Sequence, residues 1–163
     1  MIIYVIDSSA LIDIKRTYPV DVFPGVWTKL ENLVKDGRLI APQEVLFELK
    51  KRDDELTDWV KKHEIMFKEP TPTQISIVRR ILKDFPSFVK LNRDHDADPW
   101  VIALAYEHAN IQMAVDGTKF DPIVVAHEKL DGNKVKIPYV CQKYGLNCIR
   151  ALEMFRNEGW IFY

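Results

Sequence analysis

The first residues of the chain form an unbroken apolar run, Ile2 to Ile6, and Asp7 follows it directly. A continuous run of β-branched and aromatic residues indicates a strand buried on both faces, as in a parallel sheet covered by helices. Ser8 or Ser9 can cap the helix that follows. The sequence therefore predicts that Asp7 lies at the carboxyl end of a central strand, beside a helix N-terminus.

Strand and helix patterns continue to alternate after this opening. Apolar residues recur at helical spacing from Val26 to Val34, and a short strand is predicted from Arg38 to Ala41. Pro42 fits the first position of the next helix, and Pro122 to Ala126 reads as a further buried strand. This alternation predicts an α/β fold, a three-layer α/β/α sandwich with a mainly parallel central sheet.

The stretch from residue 53 to residue 91 differs from the rest because its apolar positions have helical spacing on both sides of a Pro70-Thr71-Pro72 break. We predict a helical insert here that packs as a cap or lid. A chain of 163 residues suits one domain with a sizeable core. The expected organisation is thus a single domain, 1–163, with an insert at about 53–91.

Composition excludes several classes of protein. The 23 Lys and Arg residues nearly balance the 24 Asp and Glu residues, so any nucleic-acid role must rest on a local site. Cys141 and Cys148 lack the paired spacing of a zinc site and are expected to be reduced. No apolar stretch approaches the roughly 20 residues that span a bilayer. We expect a soluble, cytoplasmic protein without a membrane partner.

Four acidic residues stand at predicted strand ends or on the first turns of the helices that follow: Asp7, Glu48, Asp98 and Glu128. Ligands of parallel sheets bind at the carboxyl ends of the strands. Carboxylates gathered there would repel one another and favour a hard cation, Mg²⁺ or Mn²⁺. The chemistry that follows is metal-assisted phosphodiester hydrolysis, with Ser9 orienting Asp7 or a water molecule. Whether one or two metal ions act stays open.

Each of these acids also has an ordinary structural interpretation. Asp7 and Asp98 could merely cap helices, Glu48 could be a solvated salt-bridge partner, and Glu128 could be a strand-end charge. Their joint placement is what favours a site. Further polar residues remain alternatives or additions near these positions: Glu44, Asp94, Asp96, Asp116 and His127.

The order of these motifs resembles the PIN-domain family over nearly the whole chain. Ile6 to Ile12 is similar to the family's opening strand, first acid and hydroxyl residue, and Pro42 to Leu49 is similar to the helix bearing the second acid, at Glu48. Asp98 to Ala105 resembles the third-acid helix with its small residues. The resemblance implies a catalytic and metal-binding role for the acids.

The fourth acid of the resemblance has two candidates. Val124 to Glu128 has the shape of the family's strand end, although Ala126 replaces its hydroxyl residue. Asp116, shortly before Phe120, is the rival. Glu128 is preferred because it ends the more convincing strand, and because Ile137-Pro138 and Cys141 follow as in a PIN-like subfamily of unknown function.

The resemblance implies a Mg²⁺-dependent endoribonuclease, often the toxin of a toxin-antitoxin pair that a cognate antitoxin inhibits. It also implies homodimers, and the aromatic tail Trp160 to Tyr163 is expected in the core or in such an interface. Basic residues of the 53–91 insert are candidates for selecting the RNA substrate. They are Lys61, Lys62, Arg79 and Arg80.

Two other functions are compatible with the sequence. One is a catalytically inactive PIN-like module that binds RNA or a protein partner. The other is a phosphatase of haloacid-dehalogenase type, in which an Asp also ends the first strand. That family has a second Asp two positions later, where this chain has Ser9.

Overall fold

A parallel sheet forms the centre of the fold in residues 1–88 and 96–163, which the computed structural model describes. Its strand order is β3-β2-β1-β4-β5, and every paired strand runs parallel to its neighbour. The strands are β1 (Ile2–Ile6), β2 (Leu39–Pro42), β3 (Phe67–Lys68), β4 (Asp121–Val125) and β5 (Asn147–Ile149).

The central strand is β1, which pairs with β2 on one side and β4 on the other. Val5 is in register with Ile40 and with Val124, and all three side chains are buried. The chain steps from β1 outward to β2 and β3, then crosses back to β4 and β5. The strand order therefore switches between β1 and β4, where open α/β sheets have their binding crevice.

Helices cover the sheet. They are α1 (Ser8–Thr17), α2 (Pro24–Lys35), α3 (Gln43–Lys50), α4 (Glu55–Lys62), α5 (Pro72–Asp84), α6 (Asp98–Asn110), α7 (Ile137–Lys143) and α8 (Ala151–Asn157). Short 3-10 helices occupy Glu64–Met66 and Pro86–Phe88. Helix α6 packs against β1, β2 and β4, and α5 and α7 pack against α6, whereas α1 contacts α3, α4 and α8. The predicted three-layer α/β/α sandwich is confirmed.

Helix α6 approaches the sheet closely because its side chains are small or apolar around most of its circumference. Ala103 and Ala105 alternate with larger residues, and all positions from Val101 to Ala105 are buried. A helix that is apolar on nearly all sides belongs in a core. This packing fixes the first residue of α6, Asp98, near the sheet's carboxyl edge.

The segment predicted as a helical insert has a mixed structure. Besides α4 and α5 it contains β3, which pairs Phe67 with Ala41 and Lys68 with Pro42 at the edge of the sheet. The described part of the segment, which ends at residue 88, is thus integrated into the main sheet. Helices α4 and α5 agree with the predicted helical insert, whereas β3 was not predicted, because a strand of two residues leaves no periodic pattern. Residues 89–91 lie outside the described part.

Several smaller expectations can be compared with the fold. Cys141 is buried and Cys148 half-buried, and both are free cysteines. None of the helices in the described ranges is long and apolar enough to cross a membrane. In the aromatic tail, Trp160 packs 5.0 Å from the ring of Phe155, whereas the last three residues, 161–163, are exposed.

Candidate functional site

Asp7 occupies the junction between β1 and α1. Its backbone N–H donates to the carbonyl of Val125 at 2.9 Å, which joins it to the end of β4. One carboxylate oxygen, Oδ2, accepts the N–H of Ser9 at 3.2 Å and the Ser9 hydroxyl at 2.6 Å. Asp7 itself is therefore the N-cap of α1. The expectation that Ser8 or Ser9 caps the helix was wrong, because the helix already begins at Ser8.

The other carboxylate oxygen of Asp7, Oδ1, distinguishes this residue from an ordinary cap. The side chain is only 2 % exposed, and Oδ1 has no hydrogen-bond partner among the described residues. Burying a charged oxygen without a partner is unfavourable unless a cation or water compensates it. Capping thus explains one half of the Asp7 carboxylate and leaves the other half available to a ligand.

Glu48 connects α3 to two other parts of the site. Its Oε2 accepts the hydroxyl of Ser8 at 2.5 Å, and its Oε1 accepts the backbone N–H of Ala97 at 2.9 Å. The side chain consequently joins the first turn of α1 to the residue before α6. The alternative of a solvated salt-bridge partner was wrong for Glu48, and it is Glu48, rather than Glu44, that makes these contacts.

Asp98 is the first residue of α6, and Ala97 occupies the N-cap position. The alternative that Asp98 only caps this helix was therefore wrong. The backbone N–H of Asp98 donates to Oδ1 of Asp96 at 3.1 Å, so Asp96 shapes the turn that leads into the helix. Asp94, the other neighbouring candidate, lies outside the described residues.

Glu128 follows the end of β4 by three residues. Its Oε2 accepts the N–H of Ile137, the first residue of α7, at 3.1 Å. The preceding residue, His127, donates its backbone N–H to the Ser9 hydroxyl at 3.1 Å. Ser9 therefore links the segment of Glu128 to Asp7, and Ala126, which is buried beside it, needs no hydroxyl for this connection.

Asp116, the rival for the fourth position, lies at the other end of β4. It accepts the N–H of Thr118 in an exposed turn that precedes the strand. Close to this turn, the backbone carbonyl of Lys119 accepts a hydrogen bond from the amino group of Met1, the residue that precedes β1. Because β1 and β4 are parallel, this turn lies at the amino edge of the sheet, away from Asp7. The structure brings Glu128, and not Asp116, to the carboxyl edge.

The electrostatics of Asp98 indicate how close the acids are. Burial raises the pKa of Asp98 to about 8, and the negative charges of Asp7, Asp96, Glu128 and Glu48 contribute to the increase. Like charges raise a carboxyl pKa only over short distances in a poorly solvated site. Acids from four separate segments of the chain thus act on one side chain.

The neighbouring acids also affect the pKa of Asp7. Burial raises its pKa to about 6, the hydrogen bonds from Ser9 oppose this increase, and the charges of Glu48 and Glu128 add to it. Ser9 therefore favours the ionised carboxylate. We call Asp7, Glu48, Asp98 and Glu128 the acidic cluster.

The acidic cluster provides oxygen ligands of the type that Mg²⁺ and Mn²⁺ prefer. In residues 1–88 and 96–163, no three His, Cys, Asp or Glu side chains are close enough to hold a metal ion by themselves. Mg²⁺ is usually held by one or two carboxylates together with water and substrate phosphate oxygens, so a complete protein cage is not required. Oδ1 of Asp7, which is buried and has no hydrogen-bond partner among the described residues, fits this mode of binding.

Comparison with models of protein families assigns the chain to one family. The family model of a domain of unknown function, DUF4411, matches residues 4–162 and so includes the whole acidic cluster. The chain belongs to the DUF4411 family. No curated protein matches it. The resemblance of this DUF4411 chain to PIN domains stays a hypothesis.

Three groups in the DUF4411 site were not predicted from the sequence. They are the Ser8 hydroxyl and the N–H of Ala97, which contact Glu48, and the N–H of Ile137, which contacts Glu128. The Ser8 hydroxyl had a sequence signal, since it adjoins Asp7, but its partner is distant along the chain. The two backbone N–H groups could not be predicted, because nearly every residue has one and the residue type does not show which of them point into the site.

His127 borders the acidic cluster of the DUF4411 chain. Its Nδ1 lies 3.2 Å from Oδ2 of Asp13 and 3.0 Å from Nη2 of Arg150. These contacts tie the end of β4 to α1 and to the residue preceding α8. The structural interpretation of His127 accounts for its position.

Proposed function

We propose that this protein is a metal-dependent ribonuclease in which the acidic cluster binds Mg²⁺ or Mn²⁺ and promotes hydrolysis of phosphodiester bonds in RNA. The observation that carries the proposal is the environment of Asp7. A buried carboxylate oxygen without a described partner faces a site to which three further acids contribute charge. The site lies at the switch in strand order, where such folds bind their ligands.

The protein's own residues have distinct tasks in this proposal. Asp7 and Asp98 hold the cation, since Oδ1 of Asp7 has no hydrogen-bond partner among the described residues and the charge of Asp7 is the largest charge contribution to the raised pKa of Asp98. Glu48 fixes the start of α6 through Ala97, and Ser9 orients Asp7 and favours its ionised form. Glu128 completes the negative charge of the site.

A bound divalent cation supplies positive charge that stabilises the phosphate in the transition state and activates water. The acidic cluster contains only oxygen ligands, which favours Mg²⁺ or Mn²⁺ over zinc or copper. Without a cation, four neighbouring carboxylates would also repel the phosphate backbone of RNA. Placing the phosphate that is to be cleaved against the acidic cluster therefore requires the cation as well as the carboxylates.

The resemblance to PIN domains extends the proposal to a biological role. We also propose that the nuclease is a toxin inhibited by a cognate antitoxin, and that it acts as a homodimer. Induced expression in a bacterial host should then arrest growth, whereas expression of Asp98→Asn should not. Equal growth of the two cultures, at equal protein levels, would contradict the toxin role and leave the nuclease to be tested in vitro.

A second function, a binding module that does not cleave, is favoured by one observation. Glu48 and Glu128 already accept hydrogen bonds from backbone amides, which stabilise the cluster without a metal. The phosphatase alternative has no such support. Ser9, at the position of that family's second Asp, bonds to Asp7 and His127 and contributes no carboxylate.

The test is cleavage of a pooled set of single-stranded and structured RNAs in Mg²⁺, Mn²⁺ or EDTA. Asp7→Asn and Asp98→Asn remove charge from the cluster, and Asp116→Asn is the matched control on the opposite edge. We expect cleavage by wild type and Asp116→Asn only, and none in EDTA. Binding without cleavage would favour the module, and hydrolysis of p-nitrophenyl phosphate without RNA cleavage would favour the phosphatase.

A further inference from the structure

A second polar cleft lies where helices α5, α6 and α7 meet. It has a volume of about 330 Å³ and is separate from the acidic cluster. Its lining combines cationic and aromatic side chains with one carboxylate: Arg80, Asp84, Phe85, Tyr106, Lys143 and Tyr144. None of these residues has a task in the proposed hydrolysis.

Arg80 is the centre of this cleft. Its guanidinium carbon lies 5.1 Å from the ring centroid of Tyr106 and 5.2 Å from that of Tyr144, within cation–π distance of both. The two rings are 5.7 Å apart and nearly perpendicular. Arg80 is exposed and the two tyrosines are half-buried, so the guanidinium and both rings border solvent.

The remaining residues extend the same pattern. Nζ of the exposed Lys143 lies 5.3 Å from the ring of Tyr139, and Phe85 packs 6.4 Å from Tyr144. Asp84 accepts the Tyr144 hydroxyl at 3.4 Å, which directs this carboxylate to the tyrosine. Cations interleaved with aromatic rings are the pattern by which proteins bind single-stranded nucleic acid, through phosphate contacts and base stacking.

The cleft and the acidic cluster share two helices. Tyr106 follows Asp98 by two turns of α6, a distance of about 12 Å along the helix axis. Lys143 ends the helix whose first residue, Ile137, donates to Glu128, about 9 Å along α7. An RNA strand cut at the acidic cluster can therefore continue over the cleft.

We propose that this cleft binds single-stranded RNA beside the cleaved bond, with a base stacked on the tyrosines and Arg80 and Lys143 contacting phosphates. The inference rests on the proposed nuclease function and specifies its substrate as unpaired RNA. It also refines the expectation for the basic residues of segment 53–91. Arg80 lines this cleft, whereas Lys62 lines a different one together with Asp21, Glu55 and Asp58.

The same contacts would also arise if Arg80 only held three helices together. Variants that retain the packing separate the two roles. Tyr144→Phe retains the ring, Tyr144→Leu removes stacking but retains apolar volume, and Arg80→Gln removes the charge. Arg79→Gln, on the exposed neighbouring residue, is the matched control. The thermal unfolding midpoint of each variant reports any loss of packing.

The experiment measures the dissociation constant of a fluorescein-labelled single-stranded RNA 12-mer in EDTA, where the proposed cleavage is blocked. We expect Tyr144→Leu and Arg80→Gln to weaken binding about tenfold or more, and Tyr144→Phe and Arg79→Gln to change it less than about twofold. Arg80→Gln should also reduce the salt dependence, since one phosphate contact is lost. The same sequence as a duplex should bind more weakly than the single strand.

The result that would contradict the cleft assignment differs from the result that would contradict the nuclease proposal. Wild-type affinity in both folded cleft variants, or no RNA binding by wild type, would overturn the cleft assignment. If wild type cleaves RNA and the cleft variants have an unchanged KM, the nuclease stands and the cleft fails. If the cleft variants lose binding but wild type never cleaves with Mg²⁺ or Mn²⁺, the cleft stands and the nuclease fails.

Discussion

The carboxylate of Glu48 accepts the backbone N–H of Ala97 at 2.9 Å, a contact between residues 49 positions apart in the chain. Ala97 is fully buried, so its N–H has no solvent to bond with. The other oxygen of Glu48 accepts the Ser8 hydroxyl. One acidic side chain thus holds the starts of α1 and α6 together, and with them Asp7 and Asp98.

Replacing Glu48 separates its structural task from its charge. Glu48→Ala removes the acceptor of a buried N–H, and we expect the free energy of unfolding to fall by about 1–3 kcal/mol. Glu48→Gln retains an oxygen for Ala97 and should lose about 1 kcal/mol or less. Urea unfolding of both variants measures this difference.

RNA cleavage gives the second half of this comparison. Glu48→Gln should fold and yet cleave far more slowly than wild type, because the cluster has lost one negative charge. A Glu48→Gln variant with full cleavage would show that the Glu48 charge has no part in the reaction. Equal stability of the Ala and Gln variants would contradict the structural role.

Ser9 is predicted to set the pH range of metal binding. Its hydrogen bonds lower the pKa of Asp7 against the effect of burial, so Ser9→Ala should raise that pKa above the present value of about 6. The variant should then require a higher pH to bind Mn²⁺, and its cleavage profile should move to higher pH. Titration calorimetry with Mn²⁺ at several pH values measures the shift.

Ser9→Thr, which keeps a hydroxyl, is the control for this change. It should retain a pH profile close to that of wild type if the hydroxyl is the important group. Profiles of Ser9→Ala and wild type that coincide would contradict a role for Ser9 in holding Asp7 ionised.

The metal-free protein should become less stable as the pH rises from about 4 to about 8. Asp98 has a pKa of about 8 when folded, against 3.8 for an ordinary Asp, so in this window the folded state retains a proton that the unfolded chain has released. The free energy of unfolding therefore decreases with pH there. Asp7 adds to the decrease between about pH 4 and pH 6.

Urea unfolding in metal-free buffers at pH 5, 6, 7 and 8 measures this dependence. Asp98→Asn removes the titrating group and should show a smaller decrease between pH 6 and pH 8. Saturating Mn²⁺ should also reduce the decrease in wild type, since a bound cation stabilises the ionised acids. A stability that rises steadily with pH in metal-free wild type would contradict the proximity of these carboxylates.

The fourth acid can be tested by a pair of substitutions at opposite edges of the sheet. Glu128→Gln removes a charge that acts on both Asp7 and Asp98, and we expect a loss of cleavage with only a small change in stability. Asp116→Asn alters an exposed turn and should leave cleavage unchanged. Single-turnover cleavage rates measure both, and the opposite ranking would assign the site to Asp116.

Much of the fold follows from local sequence patterns. Strand β1 was predicted with its observed bounds because a buried central strand is an unbroken apolar run. The edge strands β3 and β5 have two and three residues, which is too short for any periodic signal. Their pairing is decided by neighbouring strands, and a sequence pattern does not contain this information.

The candidate site was predictable to a similar extent. The four acids were chosen because the sequence predicts them at strand ends or on the helices that follow strands, and their role stays a prediction. Their connections were not, since Glu48 meets Ser8 and Ala97 through contacts that span 40 and 49 residues. Pro99 also suggested Asp98 as a cap, whereas the helix begins one residue earlier. Helix starts of this kind are decided within a single residue, which patterns rarely resolve.

The most direct test of the central proposal is the chemistry of the RNA ends that purified protein produces with Mn²⁺. Cleavage by activated water leaves a linear monophosphate, whereas attack by the neighbouring 2′-hydroxyl leaves a 2′,3′-cyclic phosphate. Mass spectrometry of the fragments should show linear monophosphate ends from wild type, and no fragments from Asp98→Asn or in EDTA. Cyclic phosphate ends, or equal cleavage by Asp98→Asn, would contradict a metal-dependent hydrolysis at the acidic cluster.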